Sequence, residues 1–357
     1  MKRLLGLLSI SVIGVFLLIG CGKTTDANNS VTAEPAVLEV MTHDSFSVSA
    51  DLITTFEKEN NVIVKFLPSG DTGAALNRAI LTKNSPQADI FYGVDNSFLS
   101  RALDESLFEA YSSSQLDFIS DQFKLDSGNY LLPVDYGDVC INYDKAFFRE
   151  NNLIVPQSLK ALTNPEYKGY LVVENPATSS PGLSFLLATI AEFGEDGYLN
   201  FWQALKENGL VVVNDWETAY YTNFSGSSGH GSQPMVISYG SSPPAEVIFS
   251  EKPLDDAPTA SIVAPNSCFR QIEFVGILKG TQQRQLAEKF IDYMLDIKFQ
   301  EDMPLQMFVF PVNQNAKLPD DFVKYAQIPE MPASLDPKLI ADHREGWVDA
   351  WVATVLR

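Results

Sequence analysis

The chain has 357 residues, 45% apolar and 20% charged, with 25 Lys+Arg against 45 Asp+Glu and a formal net charge of −20. That balance describes a folded globule of about two domains rather than a disordered chain. So acidic a body is repelled by nucleic acid and by anionic membrane surfaces, and three Cys are too few for a disulfide-built scaffold.

Lys2 and Arg3 precede an apolar run from Leu4 to Ile19. As a helix this run reaches roughly 24 Å, short for a membrane span, and its charged start and small end read as an export signal. Leu18-Ile19-Gly20-Cys21 resembles the lipobox of bacterial lipoproteins, in which the Cys is lipidated and becomes the first mature residue. The alternative is a plain signal peptide with a chance Cys. Gly22 to Pro35 is polar and reads as a tether. The expectation is a leader at 1–20, a lipidated Cys21 and tether at 21–36, and a globular body outside the cytoplasmic membrane.

Val37–Met41 is a strand candidate, and Ala50–Glu59 carries Leu52, Ile53 and Phe56 at helical spacing. Val62–Leu67 is a second strand, Thr72–Leu81 a helix with Asp71 or Thr72 as N-cap, and Asp89–Tyr92 a third strand. This βαβαβ order implies a parallel sheet. It recurs as strand Leu171–Val173, helix Leu183–Ala191, strand Val211–Val213, helix Thr218–Phe224 and strand Met235–Tyr239. The chain is expected to pass between two such units near Pro133–Tyr143 and to return near Cys268–Val275. Helices at Gln282–Phe299 and Pro337–Leu356 follow.

Polar loops follow these strands: Asp44-Ser45-Phe46, Gly70-Asp71-Thr72-Gly73, Asp95-Asn96, Thr178-Ser179-Ser180-Pro181-Gly182, Asp215-Trp216-Glu217 and Gly240-Ser241-Ser242-Pro243. Ligands of open α/β sheets bind outside the carboxyl ends of strands, so loops from two units describe one cleft. Taken singly, each loop reads more readily as a turn or a helix cap, and it is the six together that describe a site.

Catalytic constellations are missing. His43, His230 and His343 are scattered without metal-ligand spacing, and no phosphate loop or nucleophile elbow is present. No metal or cofactor is expected. Ser225–Ser232 is glycine-rich but reads as a surface loop. Binding features are stronger. Thr178, Ser179 and Ser180 precede a helix whose first N–H groups favour an anion, and Asp71-Thr72 opens a second helix start. Trp216, Tyr220, Tyr221 and Tyr239 supply aromatic faces for an organic cation or flat heterocycle. Asp44, Asp135, Glu217 and Glu273 are available to balance a positive charge.

Thr42-His43-Asp44-Ser45-Phe46, Gly93-Val94-Asp95-Asn96, Pro133-Val134-Asp135-Tyr136-Gly137, Asn142-Tyr143-Asp144-Lys145, Thr178–Leu183, Trp216-Glu217-Thr218-Ala219-Tyr220, Ser238-Tyr239, Ser242-Pro243, Gln271-Ile272-Glu273 and Phe310-Pro311-Val312 form a series. In order and spacing it resembles the thiamine-binding proteins of bacterial ABC importers, from about Leu38 to the C-terminus. The resemblance implies an α/β, two-lobed periplasmic-binding-protein-like fold. Each lobe would be a mostly parallel sheet flanked by helices, with crossing strands joining the two. Lobe 1 would span 37–136, lobe 2 137–268, and 269–357 would return to lobe 1 and send C-terminal helices across both. It implies capture of thiamine or its phosphate esters, without catalysis, and delivery to a permease and its ATPase by a monomer. The phosphate end would involve Thr178, Ser179, Ser180 and Asp71, with Trp216 and Tyr239 about the ligand. His43 stands where such proteins often have Tyr. Ala245 stands at a second such place, and Tyr221 or Phe269 is a substitute for one of these two aromatics. The full candidate set adds Asp44, Ser45, Phe46, Thr72, Asp95, Asn96, Asp135, Tyr136, Tyr220, Ser242 and Glu273.

Other readings stay open: ferric ion, from the adjacent pair Tyr220-Tyr221; a polyamine-like cation; and an anchored hydrolase, for which no nucleophile with a base is visible. Crossing strands lie side by side in such receptors, so Cys140 and Cys268 are either a disulfide or two buried thiols.

Overall fold

The computed structural model describes residues 34–227 and 231–357. The expected leader, Cys21, almost all of the tether and the Ser228–His230 stretch lie outside them. Among the described residues no helix is long and apolar enough to cross a membrane. The strands, in chain order, are β1 Ala36–Thr42, β2 Val62–Pro68, β3 Ile90–Asp95, β4 Phe108–Glu109, β5 Leu132–Asp144, β6 Leu171–Glu174, β7 Val211–Val213, β8 Met235–Tyr239, β9 Thr259–Ile262, β10 Phe269–Leu278 and β11 Phe310–Pro311.

The main sheet runs β2-β1-β3-β10-β5-β8-β6-β7. β1 is parallel to β2 and β3, and β6 is parallel to β7 and β8. Each half therefore puts its first strand between its second and its third. β10 and β5 run antiparallel to each other and to their outer neighbours, joining the halves. The two α/β units expected from the sequence are present, and one two-lobed α/β fold contains both. β3 is buried along its whole length, as a parallel strand covered on both faces must be.

Helices cover these faces. Helix Ala50–Asn60 sets Phe56 edge-on to Phe290 of helix Arg284–Leu295, with centroids 5.0 Å apart. Helix Ser180–Phe193 is buried from Ser180 to Ile190, so its apolar residues do not form a one-sided stripe. Its Thr189 hydroxyl accepts a hydrogen bond from Trp202 Nε1 at 2.9 Å. Helix Pro337–Val355 packs Trp351 on Trp202 at 5.4 Å and lays Arg344 over the Phe98 ring at 5.1 Å. It thereby touches segments of both halves, one after β3 and one between β6 and β7.

Two elements differ from expectation. The helix read over Gln282–Phe299 is two helices, Arg284–Leu295 and Ile297–Gln306. Asp296 between them is extended, and its side chain accepts from Lys298 N at 3.3 Å, as an N-cap does. Thr218–Asn223 is helical but wound as a π-helix.

Cys140, in β5, and Cys268, just before β10, are joined by a disulfide with Cα atoms 4.3 Å apart. The register explains the meeting, since Phe269 lies opposite Val139. The bridge closes a separation of 128 residues, for which chain entropy assigns an upper value of about 4–5 kcal/mol. Peptide mapping of the denatured, unreduced protein should find neither Cys140 nor Cys268 alkylated. The double change Cys140→Ala, Cys268→Ala should lower unfolding free energy by up to about that amount.

Candidate functional site

The carboxyl ends of strands from both halves open onto one cavity of about 270 Å³, where open α/β sheets bind ligands. His43, Ser45 and Ser47 reach it after β1, and Asp71 and Thr72 after β2. Ser180 and Pro181 open their helix onto it, Trp216 and Glu217 follow β7, and Tyr239 and Ser242 close β8. Gln271 and Glu273 of β10 line it as well, and the segment Gln306–Val309 completes it.

One wall is aromatic. Asp215 accepts from Thr218 N at 2.7 Å and starts the π-helical turn. That turn stacks Tyr220 on Trp216 at 5.0 Å and 19° and sets Tyr221 edge-on to Trp216 at 5.4 Å. Trp216 Nε1 donates to Ser238 Oγ at 2.9 Å, which fixes the indole. Tyr220 is buried and donates to Glu246 at 3.0 Å, so it backs the wall while Trp216 and Tyr221 face the cavity. Two glycines make room for other rings. A Cβ on Gly137 would sit 2.7 Å from the Tyr239 ring, and one on Gly93, at φ +109°, would sit 2.6 Å from His43. Phe249 and Phe308 meet edge-on at 5.3 Å beside the cavity. Phe308 holds φ +55°, a left-handed conformation costly for a bulky residue and frequent at ligand sites.

The site is acidic, and among the described residues no Lys or Arg lines it. Burial lifts the Asp71 carboxyl to about 7; Asp215 and Asp44 push the same way, against the Ser179 hydroxyl and the Trp216 N–H that donates to Asp71 at 3.2 Å. Burial also pushes Glu174 well up, with neither carboxyl oxygen hydrogen-bonded. Glu273 is pushed well up by burial and then by Asp135, its partner across the β10–β5 register. Burial lifts Asp135 to about 7, and Tyr92 Oη lies 2.6 Å from Asp135 and 3.2 Å from Glu273. Burial lowers His43 to about 4, so it is neutral at pH 7.

Of the expected site residues, Ser45, Asp71, Thr72, Ser180, Trp216, Tyr239, Ser242 and Glu273 line this cavity. The others support it from outside. Asp44 accepts from Gly70 N at 2.8 Å, and Phe46 packs on Phe66 and Tyr92 at 5.0 and 5.1 Å. Asp95 accepts from Ser97 N at 2.6 Å; Asn96 bonds Arg270 O and Ile272 N, tying the end of β3 to β10. Asp135 lies behind Glu273. Tyr136 is stacked between Phe123 and Phe310 at 4.6 and 5.3 Å. The Thr178 hydroxyl donates to Asn214 O at 2.7 Å, and Ser179 is fully buried. The candidate set did not include His43, Ser47, Pro181, Glu217, Tyr221, Phe249, Gln271 or Gln306–Val309. Alternation along β10 singles out Gln271 once Glu273 is placed, because residues two apart share a face. Nothing local marks Phe249 or Gln306–Val309.

A cavity at the strand ends of two α/β halves joined by crossing strands defines the class of two-lobed solute receptors. Residues 85–330 match the family described as bacterial extracellular solute-binding protein, and the chain belongs to that family. It is 29% identical over 361 residues to a thiamine-binding periplasmic protein of Brucella suis, covering 99% of this chain and 100% of the relative. The protein of that description from Escherichia coli is 29% identical over 331 residues, covering 92% and 95%. A solved periplasmic thiamin binding protein superposes with a TM-score of 0.79 at 26% identity, covering 95% of this chain and 100% of that one. Ferric-binding proteins, such as that of Campylobacter jejuni at 19% identity and a TM-score of 0.69, share the fold.

Asp71 ties the site to pH. Its folded value near 7 lies above the ordinary carboxylate value, so the folded state binds its proton more tightly than the unfolded state. The stability from that proton is full below about pH 4 and is lost as pH rises through about 7. Thermal unfolding of unliganded Asp71→Asn should therefore show less loss between pH 5 and pH 8 than the parent protein.

Proposed function

We propose that this protein captures thiamine and its phosphate esters in the cavity between its lobes and delivers them to an ABC permease and its ATPase. The observation that carries the reading is an aromatic wall of Trp216, Tyr221 and Tyr239 in a cavity that holds Asp71, Glu217 and Glu273 and, among the described residues, no Lys or Arg. A thiazolium is a permanent cation on a flat ring, suited to aromatic faces and carboxylates. The names of the relatives in Brucella suis and Escherichia coli agree with that chemistry. Helix starts at Thr72 and Ser180 face the same cavity, which extends the reading to phosphate esters. Tyr220 spends its hydroxyl on Glu246, so the adjacent tyrosines do not offer two phenolates to one ferric ion.

The mechanism is capture by hinge closure, with lobe 1 at 37–136 and part of 269–357, lobe 2 at 137–268, and β5 and β10 as the hinge. Calorimetry tests it. Thiamine, its monophosphate and its diphosphate should each give saturable heat, and Trp216→Ala should weaken thiamine roughly five- to thirtyfold. No heat from any of the three would sink the ligand assignment. The same reading places the protein on the outer face of the cytoplasmic membrane through a lipid on Cys21. Fatty-acid labelling in cells should mark the full chain and not Cys21→Ser; equal labelling, or none, would remove the anchor.

A further inference from the structure

We propose that Arg344 is a closure latch: as the two halves come together on a ligand, its guanidinium pairs with the free carboxyl oxygen of Asp95 and ties the C-terminal helix to the end of β3. The inference deepens the capture by hinge closure proposed above and rests on it.

Helix Pro337–Val355 is fastened to the half that holds β6, β7 and β8. Trp351 meets Trp202 at 5.4 Å, Trp347 Nε1 donates to Glu195 at 2.9 Å, and Lys206 Nζ donates to Thr354 O at 2.9 Å. Glu195, Trp202 and Lys206 all lie between β6 and β7. Asp95 ends β3, in the other half, and its carbonyl accepts from Phe98 N at 3.0 Å in the turn that follows. Arg344 reaches from the helix to that turn, with its Cζ 5.1 Å over the Phe98 ring.

Both charges are buried and poorly matched. Asp95 is fully buried. Its Oδ1 accepts from Ser97 N at 2.6 Å and from the Ser97 hydroxyl, and its Oδ2 has no hydrogen-bond partner among the described residues. Arg344 is 6% exposed, and it pairs with Glu345, its exposed neighbour in the chain, at 3.4 Å. Burial lifts the Asp95 carboxyl to about 6 and lowers Arg344, and each group pulls the other back towards its charged form. A buried oxygen left unpaired and a buried guanidinium held by one exposed carboxylate are both costly, and a single contact between them relieves both.

The joint around the pair has room to move. A cavity of about 380 Å³, lined by Asn96, Leu99, Ile272, Leu335 and Ile340 among others, lies between the start of the helix and the β3 half, so this junction is not packed solid. Asp95 also stands opposite Glu273 in the β3–β10 register, and Glu273 lines the ligand cavity. The latch therefore closes directly behind the site. Neither Arg344 nor Asp95 lines that cavity, so both are positioning residues that act on affinity through closure.

A double-mutant cycle on the full protein separates a latch from a static contact. Thiamine affinity is measured by calorimetry for the parent, Arg344→Met, Asp95→Asn and the double change, each checked for folding by circular dichroism. Each single change should weaken thiamine roughly fivefold or more, and the double change should be no weaker than the worse single one, because both remove one contact made in the closed state. In thermal unfolding without ligand the two changes should add, since the contact is then unmade. Small-angle scattering with saturating thiamine should show less compaction in Arg344→Met than in the parent. If Arg344→Met does not fold, Arg344→Lys completes the cycle, with an affinity loss that Asp95→Asn does not deepen. Additive losses of affinity, or parent-like affinity in the Arg344 variant, overturn the latch and leave the thiamine function standing. Coupling that appears in unliganded unfolding and is absent from affinity makes the pair a static contact and also overturns it. Failure of the parent to bind thiamine overturns the function and this inference together.

Discussion

The antiparallel crossing of β5 and β10 is the constraint on which the rest of the molecule depends. Their register, from Phe269 opposite Val139 to Val275 opposite Leu132, connects the two parallel half-sheets and sets one side of the cavity. A slip of one residue would turn Gln271 and Glu273 to the opposite face and take Cys268 out of line with Cys140. The disulfide pins that register at one end of the pairing, and the Asp135–Glu273 pair sits further along it. Gly137 belongs to the same crossing and seats the Tyr239 ring.

Electrostatics gives this frame its direction. Asp71, Glu174, Asp135 and Glu273 are buried, and burial raises all four carboxyls. Ionising such a group without a counter-charge is expensive, so an unliganded site holds protons instead. The proposed ligand, a permanent cation, would supply the missing charge without a proton of its own. Arg270, a nearby candidate counter-ion, is engaged by Asp138 at 2.9 Å and lies over Tyr136. Among the described residues, no Lys or Arg lines the cavity beside the aromatic wall.

Trp216 and Tyr220 show how support and contact divide. Both follow β7 and both are aromatic, and spacing alone gives them equal standing. A π-helical turn stacks one behind the other, so Tyr220 is buried as backing and Tyr221, the next residue, reaches the cavity. Thr178 and Ser180 divide in the same way. The Thr178 hydroxyl is used on the backbone of the loop after β7, and the Ser180 hydroxyl is left unpartnered at the cavity.

Local sequence determined the strands and most of the helices, because period-2 and period-3.6 patterns with caps and turn residues are short-range properties. It determined that the two units repeat one design, and that polar loops at the strand ends carry the site. Distant segments meet only in the folded chain. Phe249, Gln306–Val309 and the side-by-side placement of Cys140 and Cys268 come from chain crossings that leave no local pattern. Tertiary structure alone also decided which loop residues line the cavity. A loop hydroxyl or ring has the same propensity whether it is backing or contact, and only the neighbours it meets on folding, such as Gly93 beneath His43 or Glu246 beyond Tyr220, separate the two.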